Sequence, residues 1–168
     1  MRLLVLLTSL ILVPATSIAL CREPLDPSSS LKAADAVFFG VARSVHYDRV
    51  RQLSFTHSAL VAEFAVFVQW KGASRESLTV LTEAASGMGG FPFKKCVPYL
   101  VYGLGKGDTI VTSACDRTRA DSAAYADMED LPKPAVDRTQ RMGWKQYGEF
   151  WRAANGCVPV ILGPTIKN

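Results

Sequence analysis

The run Leu60–Trp70, LVAEFAVFVQW, constrains this chain more than any other stretch. Valine and phenylalanine dominate it, and side chains branched or ringed near the backbone suit a pleated strand better than a helix. Leu60, Ala62, Phe64, Val66, Val68 and Trp70 alternate onto one face, with Glu63 and Gln69 on the other. Other runs of the same character surround it. Ala36–Val45 places Val37, Phe39, Val41 and Val45 on one face, and Gly40 inside it marks a bulge or bend. Ser77–Thr82, Val97–Leu104 and Thr109–Ala114 follow, the last two joined by the tight turn GKGD. His46–His57 is polar and reads as a connector, and SGMGG at Ser86–Gly90 as a flexible loop. Five strands at hairpin-like spacing predict a mainly β domain, a small closed or nearly closed barrel.

Helices are expected only outside these strands. Arg22–Ser30 is rich in proline and serine and reads as irregular, with one helical turn at Ser30–Ala34. Asp121–Leu131 predicts a helix with Asp121 near its cap, ended by Pro132 and Pro134. Val136–Asn155 carries Tyr147, Phe150, Trp151 and Ala154 at the spacing of one helix face, and Gly156 is a natural stop. This aromatic stretch is expected to pack over one end of the barrel. The last residues, Cys157–Asn168, form either an extra strand or a tail fastened by Cys157.

The first residues set the compartment. Arg2, an apolar run from Leu3 to Val13 and then small residues give the order of a secretory signal. Ser17-Ile18-Ala19 is the best cleavage site, leaving residues 1–19 as the signal and Leu20 as the first mature residue; Ala15-Thr16-Ser17 is a second option. A lipid-bearing Cys21 is the alternative, against which Leu20 speaks because lipid attachment wants a small residue there. About 150 residues then remain, enough for one domain with its own core. All four cysteines, Cys21, Cys96, Cys115 and Cys157, follow the leader. Outside the cytosol an even count points to disulfides, and four cysteines allow three pairings. The expected location is therefore secreted, extracellular or periplasmic, with no transmembrane segment in the mature chain. Losing Arg2 leaves 18 cations against 15 acids, a net charge of about +3 with the signs interspersed.

Reactive constellations are missing. The sequence has no HExxH, GxSxG or Walker A pattern, and its two histidines, His46 and His57, flank a polar stretch. No cysteine or histidine spacing fits a zinc site, so no metal, cofactor or catalytic residue is expected. Asp127, Glu129 and Asp130 read as a solvated helix face. Phe91, Phe93, Lys94 and Lys95 interleave rings and cations as a single-strand nucleic-acid groove would. Two core rings beside two solvated lysines is the simpler reading, and no nucleic-acid partner is expected.

Four segments taken in order, KAADAVFFGVA, FAVFVQWKG, PFKKCVPYLVYG and SACDRTRA, resemble the TIMP-like, netrin-like family of secreted domains, bacterial members in particular. Trp70-Lys71-Gly72 after a long strand, Tyr99-Leu100-Val101-Tyr102, and Cys115-x-Arg117-Thr118 carry the likeness, which spans about Cys21–Ala120. It implies a five-stranded Greek-key barrel, the OB-fold, over residues 20–118, with residues 119–168 as a helical extension packed on it. It also implies the pairs Cys21–Cys115 and Cys96–Cys157, with Cys21–Cys96 and Cys115–Cys157 as the alternative. Where relatives begin with C-x-C this chain has Cys21 alone, and Cys96 stands where relatives often have glycine.

The function implied is recognition of another protein by a monomeric, non-catalytic domain: inhibition of a zinc metalloendopeptidase. Leu20 and Cys21 would form the inhibitory wedge. In such inhibitors the free α-amine and carbonyl of an N-terminal cysteine chelate the enzyme's zinc at its open position. Cleavage after Ala19 makes that wedge one residue longer. The alternatives are an assembly module of the cell envelope and a single-strand nucleic-acid binder.

Overall fold

The computed structural model describes residues 25–52, 55–84, 89–139 and 157. The expected signal, Leu20 and Cys21, and the aromatic stretch from Trp144 to Ala154 lie outside the described residues.

The chain enters through α1 (Pro27–Ala33), a helix that the sequence marks at both ends. The Asp26 side chain accepts from the Ser29 amide at 2.9 Å, and Pro27 opens the first turn, where its missing N–H costs nothing. The Ser29 hydroxyl and amide hold the Asp26 carboxyl below its ordinary value. At the other end Lys71 donates Nζ to the carbonyls of Leu31 and Lys32, at 3.2 and 2.8 Å. The helix thus begins within the stretch read as irregular, because the Asp-Pro pair acts as a start signal.

Among the described residues seven strands form one mixed sheet: β1 (Ala36–Gln52), β2 (Phe55–Lys71), β3 (Ser77–Glu83), β4 (Pro98–Gly103), β5 (Thr109–Val111), β6 (Arg119–Ala120) and β7 (Val136–Asp137). The order is β5-β3-β2-β1-β4-β6, with β7 on β2. Only β3 with β5 is parallel. The ends of β4 and β5 meet at one isolated antiparallel bridge, Leu104 with Val111, whose amides and carbonyls exchange hydrogen bonds of 2.9 and 2.8 Å. The protein is mainly β, as expected, but its ladders draw this mixed sheet rather than a closed five-stranded barrel. A second helix, α2 (Asp121–Glu129), follows β6 without a side-chain cap.

His46–His57 is not a connector. β1 and β2 continue through it as a paired ribbon, with Tyr47 opposite Leu60 and Asp48 opposite Ala59. Past the last β4 pair at Val41, the β1 side of this arm meets water: His46, Asp48 and Arg49 are exposed, and Tyr47 is 69% exposed.

Both faces of the sheet are covered. One face gathers Phe38, Ala62, Phe64, Val66, Val80, Phe93, Tyr99, Val101 and Ile110. The other gathers Val37, Phe39, Val41, Phe67, Val68, Leu100 and Tyr102 under Leu31 of α1 and Ala124, Tyr125 and Met128 of α2. The expected strand faces are correct only in part. Arg43 is an extra residue in β1, between the pairs Ala42–Phe64 and Ser44–Glu63. Val45 therefore packs with the first cluster while Val37, Phe39 and Val41 belong to the second. Phe67 is extra in β2, so Val66 and Val68 point to opposite faces and Trp70 follows Val68. One inserted residue moves everything after it across the sheet. Gly40 sits at the Phe67 irregularity, where a side chain would run into the Ala65 carbonyl.

After α2 the chain does not enter the expected helix at Val136. Val136 and Asp137 pair with Gln69 and Val68 of β2 instead. A helix would bond its amides to its own carbonyls, whereas here the β2 edge supplies partners, as in the Arg138 amide to the Phe67 carbonyl at 2.9 Å.

Candidate functional site

The motifs that carry the family resemblance are fasteners. Trp70 donates Nε1 to the Pro132 carbonyl at 2.7 Å, holding the segment after α2. Lys71 closes the end of α1, as described above. Tyr99 accepts from the Lys94 amide at 2.8 Å and stacks edge-on against Phe93 at 5.0 Å. Thr118, fully buried, bonds Thr112 Oγ1 at 2.9 Å and accepts from the Tyr102 amide at 3.2 Å. It supplies β4 with a partner just where β6 begins to pair with it.

Arg117, next to Thr118, is built into a fork. Nε and Nη2 donate to the two Asp127 carboxylate oxygens at 2.7 and 2.8 Å. Nη1 donates to the Leu25 carbonyl at 2.7 Å, and Ser30 Oγ donates to the same oxygen at 3.1 Å. Bidentate charge-assisted bonds of this kind are short and directional. They hold the Arg117 proton more tightly than usual. Asp127 is 7% exposed and is not part of a solvated face. Ala124, Asp127 and Met128 share the face of α2 turned to the sheet, a spacing that was available to find it.

These groups frame a hollow of about 280 Å³ lined by Leu25, Ala34, Tyr102, Leu104, Cys115 and Arg117. Leu25 and Leu104, 52% and 55% exposed, line it together with the polar Ser30, Asp116 and Arg117, and Val111, paired with Leu104, is 40% exposed nearby. Scattered apolar residues are ordinary on a surface, but Leu25 and Leu104 lining one hollow, with Val111 beside Leu104, form a candidate contact area.

The Tyr102 hydroxyl is buried with no hydrogen-bond partner among the described residues. Burial first, and the Asp127 charge second, push its pKa far above that of an ordinary phenol. The folded state therefore keeps a proton that the unfolded chain releases above about pH 10. The stability tied to Tyr102 is complete below that pH and is lost as pH rises through the alkaline range. Denaturant melts from pH 9 to about 11.5 should fall in stability for the wild type. The Tyr102→Phe chain should lose less over the same window. Equal slopes would contradict this environment.

Of the residues expected in the site, Cys115 lines the hollow and is disulfide-bonded. Cys96 and Cys157 are joined to each other, with Cα atoms 5.1 Å apart. This is the second pair that the resemblance implied. It lies at the opposite end of β4 from the hollow, about 20 Å away by strand rise. Leu20 and Cys21, the expected wedge, fall outside the described residues. Phe93 is buried and Lys94 and Lys95 are exposed, as in the simpler of the two readings of that stretch. No group of three or more metal-binding side chains occurs among the described residues. No helix among them is long and apolar enough to cross a membrane.

No family model matches this chain, and no curated protein is significantly similar to it.

Proposed function

We propose that this chain is an exported, non-catalytic protein-binding domain of the TIMP-like, netrin-like kind. Its N-terminal edge would engage a zinc metalloendopeptidase. One observation carries the reading: the earliest described residue, Leu25, is fixed by Arg117 at an open apolar edge beside disulfide-bonded Cys115. With Cys96 joined to Cys157, Cys21 is the cysteine that remains for Cys115. Only three residues separate Cys21 from Leu25, so a Cys21–Cys115 bond would hold the mature front end against this edge. Holding a binding segment in place before it meets its partner lowers the ordering cost of association.

The barrel belongs to the same reading. The pairings β1–β2, β2–β3, β3–β5 and β4–β1, with the Leu104–Val111 bridge between β4 and β5, follow the connectivity of a five-stranded OB barrel. Gly103 supports closure, since a side chain there would collide with Ile110 and the Val111 carbonyl. A disulfide fits an oxidising compartment, and so does the leader.

The test is a titration of zinc endopeptidases with the exported protein, its mature N-terminus sequenced beforehand. Inhibition at micromolar concentration or below, lost in Cys21→Ser, is the expected result. Unchanged protease rates at micromolar protein would leave an assembly role in the envelope.

A further inference from the structure

We propose that Arg117, through Asp127, is the positioning residue of the N-terminal segment, a clamp that acts beside the sulfur bond and not through it. The inference rests on the reading of the front edge as the binding edge.

The geometry assigns each arm of the guanidinium a task. Two arms are fixed on the Asp127 carboxylate, which sets the plane of the group. The third arm is thereby aimed at the Leu25 carbonyl and is not free to rotate away. Side-chain exposures of 19% for Arg117 and 10% for Asp127 shield the fork from water, while the bond to Leu25 lies at the surface. Asp26 and Tyr102 are the other ionisable groups whose charge bears on Arg117. Asp26 is occupied at the start of α1. Tyr102 stays neutral until the alkaline range.

A lysine could balance the charge of Asp127, but its single ammonium cannot hold a carboxylate in a fork while addressing a carbonyl on another segment. This gives the Cys115-x-Arg117-Thr118 spacing a mechanical sense. Cys115 and Arg117 line the same hollow beneath the front segment, and Thr118 turns into the interior. The front segment is thus held at Leu25 by one guanidinium N–H together with the Ser30 hydroxyl and, four residues earlier, by the bond proposed for Cys21. Helix α2 is the strut behind the first of these.

Hydrogen exchange on the full exported chain tests the clamp. Arg117→Lys and Asp127→Asn should each speed exchange across residues 25–34 by about tenfold or more, with the buried part of β2 unchanged. Cys115→Ser should leave part of the protection of 25–34 in place, and Cys115→Ser with Arg117→Lys should remove it. Wild-type exchange at 25–34 in Arg117→Lys would overturn the proposal, because any cation would then suffice. Faster exchange throughout, β2 included, in both Arg117→Lys and Asp127→Asn would make the pair a general staple and overturn it too. These outcomes are independent of inhibition. A clamp that behaves as expected in a chain that inhibits no protease stands, while the inhibitor reading falls.

Discussion

Replacing Phe64 by alanine is expected to cost about 3–5 kcal/mol, the range for removing a fully buried ring. Phe64 is completely buried in the middle of β2. Its ring meets Phe38, Phe93 and Tyr99 edge-on at 5.5, 5.4 and 6.0 Å. Those three come from β1, the loop before β4, and β4 itself, so the cavity would open where several segments converge. The backbone at this point is paired on both sides, with Ala42 and with Leu78, and cannot collapse into the space. Edge-to-face pairs each contribute beyond the area that they bury, which places the expected loss toward the upper part of the range. Urea denaturation of the two chains measures it. A loss below about 1 kcal/mol would mean that the ring is not central to the core.

The second large effect is expected at the disulfide between Cys96 and Cys157. The two residues are separated by 61 positions, so loop-closure entropy alone gives about 4 kcal/mol for the bond. Cys157→Ser should lose most of that. Cys96→Gly removes the same bond yet should cost about 1 kcal/mol less, because Cys96 has a φ of 65°. A residue with a β-carbon is strained in that left-handed conformation and glycine is not. The Cys96 amide bonds the Ala42 carbonyl at 2.8 Å, so the conformation is held by the backbone around it as well as by the sulfur. Denaturant melts of both variants check the order. Equal losses, or a greater loss in Cys96→Gly, would contradict it.

How much of this was legible depends on the residue. Leu60–Trp70 declares a strand by composition, and it is one. The faces of that strand are legible only as far as Val66, because no residue type announces that Phe67 will be the unpaired one. The arm around Tyr47 was hidden for a related reason. His46, Tyr47, Asp48 and Arg49 are all exposed, so this part of β1 shows no apolar alternation and resembles a loop. β6 and β7 are two residues each, shorter than any period. They exist because neighbouring edges offer partners. Asp127 was masked by its acidic neighbours on α2, although Ala124 and Met128 beside it mark the buried face. Arg117 was visible as part of a motif, but its task required knowing that Leu25, 92 positions earlier, lies within its reach.

The most direct measurement is a mass-spectrometric peptide map of the exported protein digested without reduction. Two linked pairs are expected, one joining Cys96 to Cys157 and the other Cys21 to Cys115. A free or lipid-modified Cys21, or a link between Cys21 and Cys96, would detach the front end from the edge described above and contradict the account.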